Sequence, residues 1–289
     1  MSEFVKRTIS GAVFVGCIVG SILWNPWAFA GLILLICLLA VDEFHHLVKS
    51  PVTLRVYSAI ATLVLWMLIV CLSYKPMGGE YYRAFGISLG MTYLPLIVIC
   101  LLDEIWNHSG KPLQNWGNLL ISQVMIVLPL CTMCFLQALD KWLLLALFVL
   151  IWVNDTGAYC VGSLTAKRKN GNHKMAPHIS PKKSWEGLAG GVFFAFLAAI
   201  ILFHCGWFGE ISANGYGLCA ALGFAFITSV FGTFGDLMES LFKRSIGVKD
   251  SGKFLPGHGG VLDRFDSILL AAPLITSYCW LCYFIVPLL

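Results

Sequence analysis

The stretch Gly187–Gly209, GLAGGVFFAFLAAIILFHCGWFG, runs for 23 residues with no Asp, Glu, Lys or Arg. Crossing a hydrocarbon core of roughly 30 Å takes about 20 apolar residues in a helix, so this run is long enough to cross on its own. It carries no polar face at helical spacing, which a surface helix of a soluble bundle requires. Seven other uncharged runs repeat the pattern: Thr8–Val41, Val56–Tyr74, Ala84–Leu102, Leu113–Leu139, Trp142–Asn154, Ile211–Gly235 and Ser267–Leu289. With 58% apolar and 12% charged residues and a mean hydropathy of +0.82, the chain lies far from the composition of soluble domains. The first run is broken at Asn25-Pro26, a pair that favours a turn over helix continuation. The pattern predicts an all-α, polytopic helical membrane protein with about nine spans, at 8–24, 27–41, 56–74, 84–102, 118–138, 142–161, 187–205, 216–235 and 267–288.

Charge sets the expected orientation. With the N-terminus in the cytoplasm, sixteen of the nineteen Lys and Arg residues fall on the cytoplasmic side of these spans, as the positive-inside rule requires. The basic start MSEFVKRT precedes an apolar run with no clear small-residue cleavage site and a second apolar run directly after it, so it reads as a retained span rather than a signal peptide. Eleven cysteines are scattered through the spans, including Cys131/Cys134 and Cys279/Cys282. Inside lipid these read as small packing residues rather than redox or zinc sites.

The two halves differ. The first five spans have no charged residue in their interiors, so residues 1–140 read as a transmembrane scaffold. Asp42, Glu43, His45 and His46 read as a solvated helix end at headgroup level rather than as metal ligands. Residues 141–289 read as the functional half, with cytoplasmic loops 162–186 and 236–266. Ionisable residues beside a span are costly and mark function by default. A transporter would place such groups at mid-membrane, and a secondary transporter would also show paired broken helices; neither is visible here.

Between the last two apolar runs lies Ser240–Ser267, SLFKRSIGVKDSGKFLPGHGGVLDRFDS, with five basic residues, three aspartates, one histidine and five glycines. Asp263 and Asp266, three apart, share a helix face, and two carboxylates on one face suit Mg²⁺, which takes a few carboxylates plus substrate phosphate oxygens. The alternative for such acids is to complement a helix N-terminus. Pro256-Gly257-His258-Gly259-Gly260 lets backbone N–H groups approach an anion. Lys243, Arg244, Lys249 and Lys253 precede it, and together they describe a site for a metal-bound polyphosphate. Asp236 shares a helix face with Ser240 and offers a further metal ligand. Asn154-Asp155 ends the sixth span. Ser180-Pro181-Lys182-Lys183-Ser184-Trp185-Glu186-Gly187 suits phosphate binding at a membrane surface, although Ser184 also fits as a helix cap.

Three of these segments, Asn154–Gly162, Ser180–Gly187 and Gly235–Ser267, resemble the phosphatidate cytidylyltransferase (CDP-diacylglycerol synthase) family in its own order, together covering about fifty residues. The stretch 162–174 departs from the family pattern, with Ser163, Ala166 and a longer loop. The resemblance implies a Mg²⁺-dependent nucleotidyltransferase that condenses CTP with phosphatidic acid in phospholipid biosynthesis, with its active site at the cytoplasmic face of a bacterial inner membrane. It implies a catalytic group of Lys243, Arg244, Lys249, Asp250, His258 and Arg264. Substrate binding falls to Asn154, Asp155, Ser180, Lys182, Lys183, Glu186, Ser240, Gly257, Gly259 and Gly260, and the metal to Asp236, Asp263 and Asp266. The expected partners are CTP, phosphatidic acid and the bilayer, with no nucleic acid; a homodimer follows from the resemblance alone. The alternatives left open are a related CTP-dependent enzyme acting on another lipid phosphate or a polyprenol, and a transporter or lipid-binding protein.

Overall fold

The computed structural model describes residues 3–74, 80–107, 110–168, 171–212, 217–252 and 259–285. Eight of its helices are long and apolar enough to cross a membrane, and Thr8–Trp24 adds a shorter apolar helix. The chain is a polytopic helical membrane protein, and helix runs through each of the nine expected spans among the described residues. By contacts it divides into two units, one of residues 1–138 with 250–264, the other of 139–249 with 265–289.

The first unit holds α1 (Glu3–Trp24), α2 (Pro26–Leu47), α3 (Val52–Ser73), α4 (Glu80–Asn107), α5 (Pro112–Ile121) and α6 (Leu128–Leu139). The α1–α2 break falls at Asn25-Pro26 because Asn25 caps α2, its Oδ1 accepting from the Trp27 N–H at 2.8 Å, and Pro26 has no N–H to lose. A π turn, Ser122–Val127, joins α5 to α6 just ahead of Pro129. It carries Gln123, whose side-chain amide donates to the Ser58 carbonyl at 3.3 Å and to Thr62 Oγ1 at 3.4 Å on α3. Between apolar helices, where the hydrophobic effect gives little drive to associate, such bonds add to packing in tying one helix to another. Tyr74 Oη donates to Gln137 Oε1 in the same way. All eleven cysteines are free thiols, with Cys37, Cys131 and Cys134 packed in the core of this unit, as the packing reading expects.

The second unit holds α7 (Lys141–Ala166), a hairpin of β1 (Lys174–Ala176) and β2 (Ser180–Ser184), α8 (Trp185–His204), the short α9 (Gly209–Ser212), α10 (Gly217–Ser245) and all but the first turn of α11 (Leu262–Trp280). Glycine sets its closest approaches. A side chain on Gly191 would run into Asn154 Oδ1, and one on Gly190 into Val161, so α8 lies against α7 through these bare positions. A Cβ on Gly235 would sit 2.6 Å from the Asp266 carbonyl and 3.1 Å from that of Ser267, which seats α10 against α11.

Two features differ from the reading of the sequence. The expected loop 162–186 contains the antiparallel hairpin, with Lys174 opposite Ser184 and Ala176 opposite Ser180. The expected end of the eighth span at Gly235 lies inside α10, which continues to Ser245. The polar residues beyond Gly235 sustain the helix through i,i+4 pairs, Ser240 Oγ donating to Asp236 Oδ1 at 3.3 Å and Lys243 pairing with Glu239 at 2.5 Å. The helix ends at Ser245, and Gly247 two residues on, with φ at +75°, takes the left-handed conformation that closes its C-terminus.

Candidate active site

In the second unit the site is built where β2, α7, α10 and α11 present their polar ends. β2 delivers Lys183, whose Nζ lies 2.7 Å from Asp236 Oδ2 on α10 and donates to the Thr233 carbonyl at 3.0 Å. Thr233 Oγ1 accepts from Asn154 Nδ2 at 3.4 Å and donates to the Ser229 carbonyl at 2.9 Å. Asn154 is buried, and its Oδ1 has no hydrogen-bond partner. The Lys183 ammonium pairs directly with Asp236, and Asp155 and Asp266 lie within electrostatic reach of both. That surplus of hard oxygen donors fits a hard divalent cation, for which one or two protein carboxylates suffice when phosphate oxygens supply the rest. Among the described residues, no group of three or more His, Cys, Asp or Glu side chains is clustered as a metal site.

The other residues of the SPKKSWEG segment divide their roles. Ser184 caps α8, its Oγ accepting from the Gly187 N–H at 3.1 Å. Lys182 is exposed and Ser180 half-buried. Glu186 braces the hairpin: its carboxylate accepts from the His173 backbone N–H at 3.0 and 3.1 Å and lies 2.6 Å from His173 Nδ1. On α10, the Lys243 ammonium is committed to Glu239, a pair only 12% and 3% exposed. Arg244 donates to the Val248 carbonyl at 3.1 Å, and Lys249 is exposed.

In the first unit, residues 250–264 form a second polar cluster. Asp263, expected beside Asp266 on the metal, uses its Oδ2 to accept the backbone N–H groups of Ser251 and Gly260, both at 2.9 Å. Gly259 holds φ at +85°, and a side chain there would meet the same oxygen at 2.5 Å. Asp250 and Arg264 are exposed. Gly257 and His258 lie outside the described residues, as do Lys253 and Pro256.

The reading of Asp42, Glu43, His45 and His46 as one solvated helix end is corrected here. Asp42 and His46 are exposed, with side chains 63% and 60% accessible, because they share one helix face. His45 is fully buried, its Nδ1 2.9 Å from Ser50 Oγ. Glu43 Oε2 accepts from the Val261 N–H at 2.8 Å. Glu43, Thr233 and Ser251 had not been singled out as site residues. The adjacent acids at the end of α2 were a signal that a carboxylate could be held there, but nothing local ties Glu43 to a residue 218 positions away.

The sequence profile of the cytidylyltransferase family matches residues 5–282. The chain belongs to the cytidylyltransferase family. Phosphatidate cytidylyltransferases of Staphylococcus aureus (strain COL) and Staphylococcus haemolyticus (strain JCSC1435) are each 45% identical to it over 128 residues, and that of Staphylococcus epidermidis (strain ATCC 12228) is 44% identical over the same length. Each alignment covers 44% of this chain and 45% of the relative, less than half of the relative's own length. Within the family match fall all the segments described above, including Glu43 and its partners.

Proposed function

We propose that this membrane protein transfers the cytidylyl group of CTP to phosphatidic acid, giving CDP-diacylglycerol and pyrophosphate. The observation that carries the reading is the meeting of Lys183, Asp236 and Asp266, drawn from separate segments, in one charged cluster of a cytidylyltransferase-family chain. The names of the aligned relatives support phosphatidate as the lipid.

In the reaction, an oxygen of the lipid phosphate attacks the α-phosphorus of CTP, a new P–O bond forms, and the bond to the bridging oxygen breaks as pyrophosphate departs. A phosphate monoester is already ionised at neutral pH, so no general base is required. What the protein must do is hold two anions together and stabilise charge on the leaving group. Asp236 and Asp266 would hold Mg²⁺, which when bound neutralises phosphate charge. Lys183 orients Asp236 and adds positive charge beside it. Arg244 and Lys249 are cations available to the phosphates. The excess of Lys and Arg on one side of the spans supports a cytoplasmic face for this chemistry.

The test is conversion of CTP and phosphatidic acid by the purified protein in detergent, with Mg²⁺ and with chelator, beside Asp236→Asn and Asp266→Asn. Product from the wild type alone, and only with Mg²⁺, is expected. Undiminished turnover by folded variants would discard the metal assignment. Absence of product from folded wild type would discard the reaction.

A further inference from the structure

β1 and β2 have three and five residues, and a two-stranded hairpin this short is marginal without further support. Its open end is fastened from outside the strand pairing. The His173 carbonyl accepts from the Trp185 N–H at 2.9 Å, and the His173 N–H donates to the two oxygens of Glu186 at 3.0 and 3.1 Å. Both backbone groups of His173 are thus engaged by the start of α8. The imidazole adds a third contact, with Nδ1 2.6 Å from Glu186 Oε1. One residue earlier, Asn172 Nδ2 donates to the Gly162 carbonyl at 3.0 Å and ties the same end of the hairpin to α7. Bonds to an ionised carboxylate are roughly twice as strong as those between neutral groups, which makes Glu186 the firmest of these fastenings. Lys183 stands three residues before it on β2. From there its Nζ reaches Asp236 at 2.7 Å and the Thr233 carbonyl at 3.0 Å.

We propose that Glu186 is a positioning residue, which with His173 latches the hairpin to α8 and so sets where Lys183 meets Asp236. The consequence for turnover rests on the function proposed above; the latch does not. Glu186 touches no substrate in this role, because His173 already engages both of its oxygens. Loss of a group that binds substrate uniformly raises KM, whereas misplacing a group needed in the transition state lowers kcat. The two roles are therefore separable by kinetics.

The experiment compares wild type, Glu186→Ala, Glu186→Gln, Glu186→Asp and Lys174→Gln in detergent. Kinetics are taken against CTP and against phosphatidic acid, with thermal unfolding measured for each protein. In Glu186→Ala, kcat should fall by about tenfold or more while both KM values stay within about threefold of wild type. Glu186→Gln still accepts the His173 N–H through its amide oxygen and should recover kcat to within about threefold. Glu186→Asp keeps the charge but is one methylene shorter; it should lose rate as Glu186→Ala does, and it decides the matter if Glu186→Ala does not fold. Lys174, exposed on the same hairpin, is the control, and Lys174→Gln should match wild type. An unchanged kcat, a rise in either KM at constant kcat, or a Glu186→Gln as slow as Glu186→Ala would overturn the proposal.

A second readout does not depend on turnover. Acetylation of Lys183 by an N-hydroxysuccinimide ester, followed by peptide mass spectrometry, should run about tenfold faster in Glu186→Ala than in wild type, with the exposed Lys182 unchanged. If folded wild type turns over no CTP, the proposed reaction falls while faster labelling of Lys183 still upholds the latch. Equal labelling in the two proteins would overturn it.

Discussion

Gly235 is where a single methyl group tests the geometry most directly. In Gly235→Ala the new Cβ would stand 2.6 Å from the Asp266 carbonyl oxygen, 3.1 Å from that of Ser267 and 3.2 Å from the Ser267 Cα, all backbone atoms that no rotamer change can clear. Ordinary contact begins at 3.4 Å, so α10 and α11 must part by up to 0.8 Å. Overpacking of this kind costs roughly 1–3 kcal/mol, while alanine gains about 1 kcal/mol of helix propensity over glycine. Net stability should therefore fall by no more than about 2 kcal/mol. Activity should fall much further, because Asp236 and Asp266 flank the parted contact and a displacement near 1 Å costs on the order of 10²-fold in rate. The assay is kcat for CDP-diacylglycerol formation at saturating CTP and lipid, alongside thermal unfolding. Gly31→Ala serves as control, since nothing lies within 4 Å of its added Cβ. A folded Gly235→Ala with kcat within threefold of wild type would refute the placing of catalysis at this crossing.

Lys183→Met removes the ammonium that faces Asp236 at 2.7 Å and should lower kcat by about 10²–10³-fold, the range seen when one charge-stabilising donor is lost; Lys183→Arg recovering most of the rate would tie the effect to charge, and full activity in Lys183→Met would remove this lysine from the mechanism. Ser184→Ala deletes the α8 cap and should cost about 1 kcal/mol of stability, read by thermal unfolding, with a smaller effect on KM than on the midpoint. Glu239→Ala removes the carboxylate paired with the nearly buried Lys243 ammonium and should destabilise by about 3–5 kcal/mol; an unfolding midpoint equal to that of wild type would show that the pair is not held in solution.

The spans were legible because uncharged runs near twenty residues in length have few other uses. The breaks were legible where chemistry forces them, as at Asn25-Pro26. What could not be read has physical reasons. Lys174–Ala176 and Ser180–Ser184 show no apolar alternation, and their hairpin is held by pairing and by Glu186 bonding back to His173, a contact thirteen residues apart. The polar end of α10 looked like loop because its helix is sustained by side-chain pairs rather than by apolar faces. Lys183 and Asp236 were each picked out from local pattern, but their ion pair joins residues far apart in the chain. The bare positions that allow such meetings, Gly191 and Gly235, read in sequence only as small residues in apolar helices.

The bond from Val261 to Glu43 also has a bearing on how the protein is made. Its two partners are 218 residues apart, so the carboxylate on α2 leaves the ribosome long before its donor exists. At bacterial or eukaryotic elongation rates of about 5–20 residues per second, the wait is on the order of 10–40 s. Through that interval the acceptor at the end of α2 lacks this donor. The first unit is completed only when residues 250–264 arrive. A chain halted before that point would carry most of these apolar helices and lack this closure, so a segment made late finishes a part of the fold begun more than two hundred residues earlier.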